Sequence, residues 1–308
     1  MHGILLVDKP EGLTSHEVVR IVRNCIRPAK VGHSGTLDPA ATGLMVLLIG
    51  AGTRVLDFLE ESKKRYQLTV LLGEETDTGD RDGTVISKVD PSGISLAGIE
   101  EVLLGYRGVL DQVPPHYSAI KKEGVPLYKL ARKGIFPDLS PRVVEVFSLV
   151  VTAWNSPFLE LDMICSKGTY ARALARDIGR DLGVGGRLES LRRISSGPFN
   201  VADAMTLDET TTGGSEAIAQ RLISLSDALA HIPDLPVLPT EVRKLMRGAP
   251  VAVPRSRLSL AGSSADNPAR LFKIVSGNGG ILILVRPEPK GADVAIRPVK
   301  VFHTWKEG

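Results

Sequence analysis

Asp38 stands as a lone carboxylate in GHSGTLDPAATG (residues 32–43), between a leucine and a proline, with glycines before it and an almost uncharged run after it. A carboxylate at the mouth of an apolar segment can serve as a nucleophile or a base. Asp-Pro also opens turns, and glycines permit unusual backbone angles, so the spacing suits a plain turn equally well. Arg172 is the second candidate, in CSKGTYARALARDIGRDLG (165–183). Ala171, Leu174, Ala175, Ile178 and Leu182 recur there at helical spacing, with Arg172, Arg176 and Arg180 as a cationic stripe beside them. Arg172 falls in the first turn, where a cation opposes the helix dipole by roughly a few tenths of a kcal/mol. Either it belongs to a solvated basic face, or its fork meets a carboxylate or a phosphate. Lys167, with Gly168 and Thr169, is placed to hold an anion at that helix N-terminus or simply to cap it.

Aromatic residues make up only 5% of the chain, which excludes a stacking surface of many rings. Tyr66, Tyr117, Tyr128 and Tyr170 each lie beside a basic cluster or polar turn, where one could stack on a flipped base or sit half-buried in a strand. Four basic clusters recur: Arg20 to Lys30; Lys63, Lys64 and Arg65; Lys121 to Lys133; and Arg187, Arg192 and Arg193. Against a net charge of only +3, their clustering predicts charge gathered on one face, as a nucleic-acid binder requires. Of six histidines, His33 lies in the opening motif and His116 in VPPHYSAIK, and no two are spaced as metal ligands. There is no P-loop, GxGxxG or HExxH, so no metal, nucleotide or organic cofactor is expected. GEETDTGDRDG (73–83) lacks the spacing of a calcium loop and reads as a solvated loop.

The elements that must position these groups interleave without a βαβ rhythm, which predicts an α+β fold: a mixed, largely antiparallel sheet with flanking helices, followed by a small β-rich C-terminal domain. Strands are expected at ILLV (4–7), LMVLLIG (44–50, buried on both faces), KKRYQLTVLLG (63–73), and near 142–153, 158–165 and 193–201. Thr14 with Glu17 forms a capping box for a helix to about Ile26. Further helices are expected after Thr53, at 95–104, 126–133 and 169–183, and across 203–230 with a loose TTTGGS insert. Pro233, Pro236 and Pro239 suggest a linker between domains 1–232 and 235–308. The tail then shows a short helix, TEVRKLMRG, and three β-rich runs, the first two joined by a GNGG turn.

Six segments in order resemble the TruB family of pseudouridine synthases: GILLVDKPEGLTSHEVV, KVGHSGTLDPAATGLMVLLIGAGTR, KKRYQLTVLLGEETDTGD, VPPHYSAIKKEGVPLYKLARKG, CSKGTYARALARDIG and LRRISSGPF. The tail from 235 resembles a PUA-type RNA-binding domain. The resemblance implies isomerisation of a uridine to pseudouridine, in bacteria usually the T-loop uridine of tRNA at position 55. It assigns catalysis to Asp38, Tyr66 and Arg172, the arginine pairing with Asp38. Lys9 and Pro10 would support the catalytic loop and His33 would lever out the target nucleotide. Lys9, His33, Lys64, Lys167 and Tyr170 make up the expected substrate and RNA contacts. Ser34, Ala171, His116 and GVGGRL (183–188) depart from the usual pattern without removing a catalytic group. A guide-RNA-dependent enzyme of dyskerin type and a non-catalytic tRNA-binding module are the alternatives.

Two distant cysteines, Cys25 and Cys165, fit a reducing compartment, and the apolar stretch at 4–7 is too short for a signal peptide. A cytoplasmic protein is expected, probing tRNA as a monomer with no membrane contact and no obligate protein partner.

Overall fold

The computed structural model describes residues 1–59, 63–118, 120–260, 270–276, 280–290 and 293–303. The chain runs through β1 (Gly3–Lys9), α1 (Ser15–Cys25), β2 (Val31–His33) and β3 (Thr42–Ile49), then two 3-10 turns and β4 (Lys63–Leu72). A hairpin of β5 (Glu74–Thr76) and β6 (Val85–Lys88) leads to α2 (Leu96–Leu104) and β7 (Gly108–Gln112). A smaller hairpin, β8 (Lys121–Lys122) and β9 (Val125–Pro126), leads to α3 (Leu127–Ala131). Next come β10 (Arg142–Asn155), β11 (Phe158–Ser166), α4 (Ala171–Asp181), β12 (Gly186–Ser196), β13 (Phe199–Asn200), β14 (Met205–Thr206), α5 (Leu207–Gln220) and α6 (Leu225–Ala228). The C-terminal part holds α7 (Pro239–Met246), β15 (Val251–Pro254), α8 (Arg255–Leu260), β16 (Phe272–Ser276), β17 (Ile281–Lys290) and β18 (Asp293–His303).

Ten strands form one sheet in the order β14-β1-β3-β12-β4-β11-β10-β7, with β2 added to β3 and β13 to β12. Two contacts are parallel, β1 with β14 and β3 with β12, and the others are antiparallel. This is the mixed, largely antiparallel α+β sheet that the sequence predicts. The unbroken apolar runs of β1 and β3 follow from burial on both faces. Leu5, Val7, Met45, Leu47 and Ile49 pack under α1 and α5, while Ile4, Leu6, Leu44, Val46 and Leu48 pack on the opposite face against Leu225, Leu229, Leu282, Leu284 and Phe302. A third cluster joins β4, β10, β11 and β12 to α2 and α4. At the seam of β3 and β12, Gly43 has φ +97° and a Cβ there would meet the Arg193 carbonyl oxygen at 2.3 Å, so only glycine lets these strands close.

The C-terminal sheet, β15-β18-β17-β16, has its own core of Val242, Leu245, Phe272, Ile274 and Ile296 among others. It is also docked on the first sheet through Leu282, Leu284 and Phe302. Arg54 reinforces the seam: its guanidinium lies over the Phe302 ring and donates to the Val301 carbonyl at 3.2 Å. The expected linker is therefore not a free spacer. Lys273 N donates to the Pro233 carbonyl at 2.9 Å and Leu235 N to the Lys273 carbonyl at 2.7 Å, so 233–235 runs beside β16 as an added parallel rung. Prolines without amide protons are tolerated there because the segment lies at a sheet edge.

Other expectations shift with the packing. The segment after Thr53 is 3-10 rather than α, and TTTGGS is carried inside α5 with a kink at Gly214. The strand expected at 193–201 runs from Gly186 to Ser196 instead, because its ladder with β4 starts at Gly186 opposite Leu72. Among the described residues of the C-terminal hairpin, Phe272–Val285 pairing begins the ladder; Gly277, Asn278 and Gly279 of the GNGG turn lie outside them. No helix among the described residues is long and apolar enough to cross a membrane.

Candidate active site

Asp38 does sit in a turn, closed by Ala41 N donating to the Asp38 carbonyl at 3.1 Å. That turn is clamped on both sides. Before it, the Ser15 hydroxyl at the start of α1 accepts from Leu37 N at 2.8 Å and donates to the Leu37 carbonyl at 3.0 Å. After it, the Lys9 ammonium donates to the carbonyls of Pro10, Pro39 and Ala41 at 2.9, 3.0 and 2.6 Å. All three protons of a fully buried lysine are thus committed to backbone, which leaves Lys9 to position the loop and not to touch RNA. Burial pulls its pKa down to about 8, against the opposing field of Asp38.

Arg172 reaches this turn from the first turn of α4. Its Nε lies 3.0 Å from Asp38 Oδ2, and its Nη2 donates to Asp38 Oδ1 at 3.3 Å and to the Tyr117 carbonyl at 2.8 Å. Its Nη1 donates to the Thr78 carbonyl at 3.2 Å and stands 3.5 Å from Asp80 Oδ2. Every nitrogen of the guanidinium is engaged, a pattern that a lysine ammonium cannot reproduce. The helix start is itself fixed by Gln112, which accepts from Tyr170 N at 2.8 Å and donates to its carbonyl at 3.2 Å.

The loop expected to be solvated, GEETDTGDRDG, instead folds over the site and brings a second carboxylate. Asp80 Oδ1 accepts from the Thr78 hydroxyl at 2.6 Å and Asp82 N at 3.2 Å, while Oδ2 faces Arg172. Asp80 is therefore spent on neighbours, whereas the Asp38 side chain remains 43% exposed toward the cleft. Burial raises the Asp38 pKa above the ordinary carboxylate range; Arg172 and Lys9 oppose this and Asp80 adds to it. Of the two carboxylates that share Arg172, the geometry leaves Asp38 the reachable one, oriented by a saturated arginine. Asp38, Ala40, Ala41, Asp80, Arg81 and Leu191 line the cleft, which holds about 20 Å³.

Tyr66 lies on β4 opposite Arg193 and Met163, its ring against two of the cores. Burial raises its phenol pKa, opposed mainly by the Arg193 charge, and the Asp38 charge acts on Tyr66 and Tyr170 alike. Arg193 was legible in sequence only as part of a surface cluster. It is 2% exposed, donates Nε to the Leu44 carbonyl at 2.6 Å and Nη2 to the Gly35 carbonyl at 3.2 Å, and so ties the Asp38 loop to the strand position opposite Tyr66. The remainder of that cluster is also paired: Arg192 with Asp8 at 2.7 Å, Arg187 with Glu74 at 2.8 Å. The clusters around Arg20 and Lys121 are exposed as expected.

His33 ends β2 with Nδ1 buried and unpartnered among the described residues, and its ring meets His16 edge-on at 5.9 Å. Burial lowers its pKa, favouring the neutral imidazole. The ammonium of Lys64 lies close over Gly35, 3.1 Å from where a Cβ would stand. Asp38, Arg172, Tyr66, His33 and Lys64 thus surround one loop. Lys167 is exposed before α4, and Thr169 does not cap that helix; its hydroxyl turns back to the Ser166 carbonyl at 3.0 Å. Sequence reasoning missed Ser15, Asp80, Gln112 and Arg193, although the ETDTGD acids and the paired arginines of LRRISS were visible signals.

Comparison with known proteins places the chain in a family. The model of the TruB family pseudouridylate synthase N-terminal domain matches residues 23–171, and that of the tRNA pseudouridylate synthase B C-terminal domain matches 172–222. A tRNA pseudouridine synthase B of Syntrophotalea carbinolica is 38% identical over 308 residues, covering all of this chain and 99% of that protein. The Geobacter sulfurreducens protein of the same name is 44% identical over 253 residues, 81% of this chain and 83% of its own. Among solved structures, a chain in a Cbf5-Nop10-Gar1 complex matches with a TM-score of 0.69 at 25% identity, covering 97% of this chain and 84% of its own. A chain in an H/ACA RNP bound to a substrate RNA shares the fold at a TM-score of 0.70 and 23% identity, over 98% of this chain and 85% of its own. With family models matching residues 23–171 and 172–222 and a relative 38% identical across the whole chain, this chain belongs to the TruB family of pseudouridine synthases.

Proposed function

We propose that the protein isomerises uridine 55 in the T loop of tRNA to pseudouridine, with Asp38 as the reacting group. The observation that carries this reading is the Asp38–Arg172 pair: a reachable carboxylate held by a guanidinium whose other donors are spent on backbone and Asp80. The target base is extruded from its loop, at a cost of about a few kcal/mol, and is brought to Asp38. Its N1–C1′ bond breaks, the uracil turns over, and C5 joins C1′; C5 then loses its proton and N1, left with the electron pair of the broken bond, gains one. Atoms and electrons balance without a cofactor. A carboxylate can attack C1′ or take a proton from C2′, and either route needs Asp38 ionised. Tyr66 packs on the base with its phenol neutral, Arg172 orients Asp38, and Lys9 positions the loop. His33, Lys64, Tyr170 and Lys167 lie on the RNA side.

Residues 1–232 form the catalytic domain and 235–308 a PUA-like domain that adds RNA contacts. The enzyme acts in the cytoplasm as a monomer, on tRNA alone. A guide-RNA mechanism has weaker support, since the H/ACA chains share 23–25% identity against 38–44% for the tRNA enzymes. The test is purified protein with an unmodified tRNA transcript and mapping of the product. Pseudouridine at the T-loop position is expected, and none after prolonged incubation would refute the reading. Asp38→Asn should abolish turnover while transcript affinity stays within about a few-fold, because one contact among many changes.

A further inference from the structure

The same cleft carries a cation that the assigned chemistry does not use. Arg81 follows Asp80 in the loop over the site and lines the cleft with Asp38. Its guanidinium is in contact with the carboxylate of Glu11, which lies in the loop after β1. That loop is part of the same wall: Gly12 N donates to the Pro39 carbonyl at 2.9 Å, and Lys9 pins Pro39 and Ala41. The pair therefore bridges the two walls of the cleft at its mouth.

We propose that Arg81 is a substrate-binding residue that grips a phosphate beside the flipped nucleotide, and that Glu11 holds its place until RNA displaces it. The inference rests on the proposed RNA substrate. Asp38 acts at a ribose, and each ribose in RNA is flanked by two phosphates, so a phosphate must pass near the cleft mouth. Of the other cations around Asp38, Lys64 stands over Gly35 at the opposite end of the loop, and the buried ones cannot meet it. Arg172 and Lys9 are buried with their donors committed, and Arg193 is buried with donors on Leu44 and Gly35. Arg81 is the basic residue among the described cleft-lining positions. The side chains of Arg81 and Glu11 are 30% and 55% exposed, so their pairing adds little to stability and can exchange partners. A guanidinium suits that exchange, since its fork accepts carboxylate and phosphate oxygens alike. Once displaced, Glu11 leaves a negative charge beside the RNA, so the exchange costs affinity that removing Glu11 should return.

The experiment measures KM, kcat and the salt dependence of transcript binding for the full-length protein. Arg81→Ala is expected to raise KM about 5- to 10-fold, with a smaller change in kcat, and to reduce the slope of log affinity against log salt by about one phosphate contact. Arg81→Lys should restore most of the salt slope. Glu11→Gln should lower KM by about 2- to 5-fold, as expected when a like charge is removed beside a phosphate, and that gain should vanish in the Arg81→Ala background. An unchanged KM and salt slope in Arg81→Ala, or weaker binding in Glu11→Gln, overturns the proposal. Thermal melts separate a folding loss from a binding loss, and Arg81→Lys supplies the folded comparison if Arg81→Ala is unstable. Failure of the wild-type protein to convert the transcript sinks the proposed function itself; conversion with unaffected Arg81 variants sinks this inference alone.

Discussion

Replacing Asp80 by Asn tests the site most directly, because it removes one charge and almost no volume. Asn Oδ1 can still accept from the Thr78 hydroxyl and Asp82 N, so the loop keeps its internal bonds. What disappears is the carboxylate oxygen 3.5 Å from Arg172 Nη1, with an amide donor turned toward a cation instead. A charge-assisted contact is worth about 1.5–3 kcal/mol, and the length of this one places it at the lower end, so turnover should fall about 10- to 30-fold. A second effect runs the other way. Asp80 helps to raise the Asp38 pKa, so its neutralisation lowers that pKa. Activity requires ionised Asp38 and increases as pH rises through its pKa; the acid limb of Asp80→Asn should therefore move to lower pH. Pseudouridine formation carries the C5 hydrogen of uridine into water, so tritium release from 5-labelled tRNA in single-turnover reactions reads both effects. A plateau rate equal to wild type would refute the claim that Asp80 acts on Asp38 through Arg172, and an acid limb that stays or moves upward would refute its direct field on Asp38.

Lys9→Met leaves three carbonyls, that of Ala41 buried, without their donor and should destabilise the protein by about 2–3 kcal/mol, seen as a lower denaturant midpoint together with lost turnover. Because burial lowers the Lys9 pKa from 10.5 to about 8, wild-type turnover should decline above pH 8, where a neutral amine keeps two donors of three; a flat alkaline profile argues against the clamp. This group's effect on stability has the opposite sign: between about 8 and 10.5 the unfolded chain holds more protons than the native one, so stability rises with pH across that window. Phe302→Ala removes a fully buried ring from the seam between the two sheets and should cost about 3–5 kcal/mol. Proteolysis within 233–238 should then become faster, and unaltered protection would mean that the seam holds without it.

The local codes were legible because local physics writes them. Thr14 and Glu17 form the capping box of α1, the unbroken apolar runs of β1 and β3 signal burial on both faces, and the helical period from Ala171 to Leu182 marks α4. Asp38, Tyr66 and Arg172 were identified because their motifs resemble a known family in order. Chain order alone could not say what each charge faces. ETDTGD and LRRISS look like solvated polar segments, since sequence reports a residue's charge and not its partner. Only the folded chain brings Asp80 across to share Arg172, buries Arg193 under the Asp38 loop, and commits all three Lys9 protons to backbone. Likewise the prolines at 233–239 suggested a free linker, yet β16 offers an open edge and the chain pairs with it. Residue type and spacing determined which groups are able to react; packing between segments more than a hundred residues apart decided which carboxylate stays reachable and which ones serve to hold it.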